Sequence, residues 1–260
     1  MSRPARAQDH SRETVTGMSR EQQITEAFVS LSDITADDVD PFVLLRRLTV
    51  HSVQLTGMDA AGVMLVNARG RLRPVARTTE SVEVTEMFQG QIEQGPCVDA
   101  YVTGDPIHAD DLTAQGDRWP DFTPLAIAAG FRAAHALPLR VRHQQVGALN
   151  LLAHEPTGLP AGEARLLRAL ADTATAAVVT WRADRLRPSD IVTRTQAALS
   201  GKALLDTAAG MIAATAGIAP GEAAGHLIDY AATRGERPTD VAAQIVRNTV
   251  APQAVLAPER

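Results

Sequence analysis

Cysteine, aromatic residues and surplus positive charge are all scarce in this chain. A single cysteine, Cys97, in 260 residues excludes an internal disulfide framework. Aromatics make up 3%, so Ala, Leu and Val must supply most of any core. The formal net charge of -5 gives no electrostatic case for nucleic acid or for an anionic membrane. No apolar run approaches the roughly 20 residues that a bilayer-spanning helix needs. The first residues carry basic groups but no apolar core, unlike a secretory signal. These absences predict a soluble, cytoplasmic protein with no membrane partner.

What is present fits one large domain or two modest ones. Hydrophobic residues at 45% and charged residues at 21% are ordinary for a globular chain. Residues 1–20 are polar and aperiodic, the composition of a disordered segment. Ile24, Ala27, Phe28 and Leu31 then follow the i, i+3, i+4, i+7 spacing of an amphipathic helix. Asp40 as N-cap and Pro41 at the first helical position open a second helix, with Phe42, Leu45, Leu48 and Val53 on its apolar face. The short apolar run 60–67, the turn residues Asn67, Arg69 and Gly70, and residues 71–77 read as a β-hairpin. A helix is expected over 81–91, then a break at Gly95-Pro96 and a short helix over 97–103. Residues 106–108 resemble a strand, Asp110-Asp111-Leu112 a turn, and 124–130 a helix closed by glycine. Two strands, 132–140 and 145–153, flank a turn at 142–144, and 160–181 is a long Ala/Leu helix. This order predicts an α+β sensor domain over 21–181, with a central antiparallel sheet flanked by helices. Its terminal helices are available to a second subunit, so a homodimer is expected.

Beyond it the last helix is expected to continue through 183–186 until Pro188 interrupts it. A helical linker over 182–204 leads into a module at 191–248, followed by a tail at 249–260. Residues 203–246 read as three short helices separated by the turns Gly217-Ile218-Ala219-Pro220 and Arg234-Gly235-Glu236-Arg237-Pro238. They hold no nucleophile triad and no metal-ligand spacing. The glycines at 217 and 221 lack the lysine and hydroxyl residue of a phosphate loop. A small helical module placed behind a sensor is an output device, not a reaction centre.

Several segments carry a resemblance to known families. Glu93-Gln94-Gly95-Pro96-Cys97-Val98-Asp99-Ala100 and Gly104-Asp105-Pro106-Ile107-His108-Ala109-Asp110-Asp111-Leu112 come first. Arg118-Trp119-Pro120, Ala129-Gly130-Phe131-Arg132-Ala133, Ala136-Leu137-Pro138-Leu139 and Gly147-Ala148-Leu149-Asn150-Leu151 follow in order. Together they resemble a GAF domain of the actinobacterial kind across about 22–180. Ala208-Ala209-Gly210-Met211-Ile212, Gly217-Ile218-Ala219-Pro220-Gly221-Glu222-Ala223 and Asp240-Val241-Ala242 resemble an ANTAR domain. That family is the three-helix RNA-binding module of transcription antitermination regulators. The resemblance implies a sensor for an unidentified small molecule or redox state, joined to an output unit that binds structured RNA with hairpin loops. Lys202, Ala208, Ala209, Gly210, Arg234 and Arg237 are the RNA-contact candidates. Two positions depart from the family pattern: Ala209 stands where a basic residue is frequent, and Ala224 where an aromatic is common. Those changes remove a phosphate contact and a base-stacking surface. Between 189 and 250 five cations face six anions, about -1 in net charge. A sensor scaffold that associates with protein and has lost RNA binding is the alternative.

Other candidate chemistry is thinner. Cys97 at a helix start has the placement of a reactive thiolate, but a lone cysteine is more often a buried hydrophobe. Cys97, Trp119, Phe122 and Phe131 form the candidate sensor pocket, and the three rings equally suit core packing. His108, Asp110 and Asp111, with His135 and His143 near, lack a third ligand fixed by spacing, so no metal is expected. Asp99 and Glu93 have no nucleophile or substrate anchor beside them, so no catalysis is expected.

Overall fold

A computed structural model describes residues 18–32, 40–78, 93–180 and 188–256, with side chains left out at 179–180, 188–195 and 197. Of the expected disorder over 1–20 and the tail at 249–260, residues 1–17 and 257–260 lie outside the described residues, as do the helix over 81–91 and the stretch at 182–187. Pro252–Leu256 of the tail forms a 3-10 turn with Val255 buried.

Helix α1 (Arg20–Ser32) lies against α2 (Pro41–Thr56). Asp40 caps α2 by accepting the Phe42 N–H at 2.9 Å, and Pro41 occupies the first turn, where its missing N–H is harmless. Gly57, at φ +67°, closes α2 in the left-handed conformation that favours glycine. Strands β1 (Ala60–Val66) and β2 (Leu72–Arg77) form the hairpin. Helix α3 (Pro96–Thr103), strand β3 (Ile107–Ala109), a 3-10 turn (Leu112–Gln115) and helix α4 (Phe122–Ala128) follow. Strands β4 (Ala133–Val141) and β5 (Gln144–Ala153) complete the sheet, and α5 (Ala161–Thr180) crosses it.

The five strands are antiparallel in the order β2-β1-β5-β4-β3. Both faces are covered, so β1, β4 and β5 are apolar almost continuously instead of alternating. Val63, Leu137, Leu149 and Leu151 point to the face packed by α2 and α5, on which α1 lies in turn. Met64, Ala136, Ala148 and Leu152 point to the other face, under α3 and α4 with Trp119, Phe122 and Phe131.

The C-terminal unit corrects one expectation. The linker and the first module helix are one continuous helix, α6 (Pro188–Ala216), of 29 residues. Pro188 stands in the first turn of this helix, where its missing N–H is tolerated, and the stretch before it lies outside the described residues. Helix α7 (Pro220–Arg234) and helix α8 (Pro238–Val246) pack on α6, joined through Gly217 at φ +70° and Gly235 at φ +65°. Helix α6 also reaches α2, α5 and strands β1, β2 and β5, so one apolar cluster runs from the sheet into the helical unit. Among the described residues no single helix is long and apolar enough to cross a membrane.

Candidate functional site

Two regions hold the sequence-derived candidates. In the sensor interior Cys97 is fully buried, and desolvation pushes its thiol well above the ordinary range. A thiol held protonated is a poor nucleophile and a poor metal ligand, so burial decides the choice for packing over reactivity. Trp119, Phe122 and Phe131 join it in one packed cluster, with the first two rings edge-on at 6.0 Å.

The acids near Cys97 belong to separate ion pairs. Asp99 Oδ2 accepts from Arg118 Nη2 at 2.8 Å and from Trp119 Nε1 at 3.1 Å, tying α3 to the loop after β3. Arg118 also lies over the Trp119 ring at 4.7 Å. Glu93 pairs with Arg71 at 3.5 Å, so the two carboxylates do not act on a common point.

Asn150 was not singled out from sequence. It is fully buried between Ala148 and Leu152 on the α3-facing side of β5, opposite Gly62 and Ala136. Neither its Oδ1 nor its Nδ2 has a hydrogen-bond partner. A desolvated, unsatisfied amide costs about 1–3 kcal/mol, so packing alone does not account for asparagine there. The small residues around it are the signal that a strand pattern averages away.

At the other sheet edge His108 and His135 face each other, Nδ1 to Nδ1 at 3.2 Å. His135 Nε2 lies 3.0 Å from the Thr157 carbonyl, which can only accept, so Nε2 carries the proton. The lone pair on His135 Nδ1 then accepts from His108. Asp110 stands 3.9 Å from the same nitrogen, Asp111 caps the 3-10 turn, and His143 sits in the β4–β5 turn. Among the described residues no group of three or more His, Cys, Asp or Glu is arranged to hold a metal.

Burial, and then His108, push the pKa of His135 below the usual histidine value, against opposing pulls from Thr157 and Asp110. Its neutral form is therefore favoured by folding, and the unfolded chain takes up the proton first as pH falls through about 6.5. The expected result is a loss of thermal stability below pH 6.5 that His135→Gln removes in part. Glutamine can still donate to Thr157 and accept from His108. Melting temperature against pH for the two proteins checks this; parallel curves would rule His135 out as the titrating group.

The second region is a corner of the helical unit. Gly201 on α6 faces Thr239 on α8, where an added Cβ would meet Thr239 Cγ2 at 2.9 Å. That brings the backbone at Lys202 beside the first turn of α8, while Arg237 precedes that turn and Arg234 ends α7. Each of the three cations has an acid: Lys202 pairs with Asp206, Arg234 with Glu236 at 3.2 Å, and Arg237 with Asp240 at 3.8 Å. Arg234 also lies over the Tyr230 ring at 5.0 Å, the aromatic of this unit that sequence reasoning passed over. Glu236 in addition accepts from Gln244 at 2.8 Å.

The remaining candidates divide sharply. Ala208 and Ala209 are 0% and 4% exposed, on the packed face of α6, while Gly210 is exposed with open space around it. A lysine at 209 would have to bury its charge or displace the helix packing. Ala224 is half-buried and packs against the core. The two departures from the family pattern are therefore packing positions in this chain.

A family model described as GAF domain matches residues 39–179, and one described as ANTAR domain matches 193–246. No curated protein matches the chain in sequence. Similar solved structures include the GAF domain of Acinetobacter phosphoenolpyruvate-protein phosphotransferase, 11% identical over 70% of this chain and 97% of that one, at TM-score 0.48. A domain of a two-component sensor histidine kinase protein from Sinorhizobium meliloti 1021 is 14% identical over 55% and 92%, at 0.47. Free methionine-R-sulfoxide reductase from Neisseria meningitidis, solved with its substrate, is 16% identical over 74% and 99%, at 0.46. The first family match spans more than half of the chain, which therefore belongs to the GAF-domain family and carries an ANTAR domain behind its sensor.

Proposed function

We propose that this protein is an RNA-binding regulator of transcription, acting by antitermination, in which the GAF domain controls the ANTAR unit. The observation that carries the reading is the order of the two domains, a GAF domain followed by an ANTAR domain. The RNA partner is a structured one with hairpin loops. Arg234 and Arg237 supply phosphate contacts, and Tyr230 beneath Arg234 offers a ring to an unpaired base. The sensor's signal is a small molecule, and Asn150 is the buried polar group such a molecule would address. The protein works as a cytoplasmic homodimer and not as an enzyme. Coupling requires the signal to favour one arrangement of sensor and output over another, because a ligand with no differential affinity shifts nothing.

Crosslinking to cellular RNA, followed by gel shift of the enriched hairpins against a charge-matched duplex, tests the reading. Hairpins should be enriched, and Arg234→Ala with Arg237→Ala should weaken binding three- to tenfold with a shallower salt dependence. If no hairpin is enriched over the control, the RNA assignment falls. A dimeric protein-interaction scaffold then stands in its place, a reading favoured by the acid beside each of the three cations.

A further inference from the structure

Helix α8 starts without a cap of its own. Arg237 occupies the N-cap position, and no side-chain cap is made there. The N–H of Thr239, in the first turn of α8, is instead accepted by Asp40 Oδ2 at 3.2 Å, from 199 residues away in the chain. The same carboxylate caps α2 through Oδ1. Asp40 is 4% exposed, so a buried negative charge sits between the N-termini of two helices, one from each domain. Both ends carry partial positive charge, and a carboxylate has enough lone pairs to serve both. Capping α2 alone requires one oxygen, which serine or asparagine also provides. The second oxygen is spent on the other domain.

We propose that Asp40 is an intramolecular latch: by supplying the cap that α8 lacks, it holds the helical unit against the sensor domain. The latch closes on the corner formed by Gly201, Lys202 and Arg237, where it occupies a helix N-terminus that favours anions. Displacing α2 by a small amount, as a signal acting on the sensor sheet would, breaks the α8 bond while leaving the α2 cap intact. That release frees the corner for RNA phosphate rests on the reading above; the latch does not.

The test uses the full chain with Asp40→Ser, which retains a one-oxygen cap for α2 and is too short to serve Thr239. Should that variant fold poorly, Asp40→Asn, nearly isosteric and an equally good cap, takes its place. Spin labels go on Val102→Cys and His226→Cys, at exposed sites in the two domains; buried Cys97 stays unlabelled. The expected result is a broader, longer distance distribution than in the Asp40 parent. Amide exchange at the first turn of α8 should be about tenfold faster, with the first turn of α2 unchanged. An unchanged distribution with unchanged exchange at Thr239 overturns the latch. So does faster exchange at α2 and α8 together at an unchanged distance, since Asp40 would then be a local cap alone. Hairpin RNA affinity of the opened variant should rise three- to tenfold; opening with no rise keeps the latch and removes the RNA reading.

Discussion

Gly147→Ala is expected to lower the melting temperature of the sensor domain by about 10 °C. Gly147 stands on β5 opposite Leu65, in the centre of the sheet. A Cβ added there would lie 2.0 Å from the Met64 carbonyl oxygen and 3.0 Å from the Leu65 Cα. Both are backbone atoms, fixed by the β1–β5 hydrogen bonds, so no side chain can turn aside to make room. Overpacking of a core costs about 1–3 kcal/mol where side chains can shift. Against a fixed backbone the cost should reach about 3 kcal/mol or more, a large part of the roughly 5–15 kcal/mol available to a domain. A fall of about 10 °C in melting temperature follows for a domain of this size. Gly210→Ala is the counter-case. That glycine has open space about it in α6, so alanine should stabilise the helix by about 0.5–1 kcal/mol. Thermal melts followed by circular dichroism separate the two. A Gly147→Ala protein that melts with the wild type would show that β1 and β5 are not paired in this register.

The physical reason for Gly147 also shows which parts of the molecule were legible. Signals confined to a few neighbouring residues survived. Asp40-Pro41 and Gly57 delimit α2, the apolar runs mark β1, β4 and β5, and Asn67 with Gly70 marks the hairpin. The length of α6 was hidden because a linker and a module helix, each read as its own short helix, give no local sign that they join into one.

The site was less legible because exposure is a tertiary property. Ala209 and Gly210 are adjacent, yet one is packed and the other open. No spacing in the sequence announces that Lys202, nearly buried, will lie beside the start of α8. Asn150 looks like an ordinary polar residue until both its neighbouring strands are present to exclude water. The second bond of Asp40 is the extreme case, since local pattern fully explains the residue as a helix cap and leaves half of its carboxylate unaccounted for.

On the proposed RNA-binding reading, removing the acids that neutralise the helical corner should strengthen hairpin binding about tenfold. Asp206 and Asp240 pair with Lys202 and Arg237, and both carboxylates are largely exposed, at 62% and 63%. Asparagine at each position preserves volume and polarity while lifting the net charge of residues 189–250 from about -1 to about +1. The carboxylates are open but Lys202 and Arg237 are 11% and 27% exposed, so the stability lost should reach the upper end for surface pairs, about 1 kcal/mol each. The gain in binding arises because phosphate affinity comes from cations that release counterions, each adding roughly 0.7–0.9 to the slope of log K against log salt. Two freed cations should therefore steepen that slope by up to about 1.5 and raise hairpin affinity about tenfold or more at low salt. Fluorescence anisotropy of a labelled hairpin between low and physiological salt measures both quantities at once. Unchanged affinity and slope would show that the corner does not meet phosphate. Weaker binding would assign Asp206 or Asp240 to the contact itself, as acceptors for base amino groups, and would move the phosphate path to another face of the three helices.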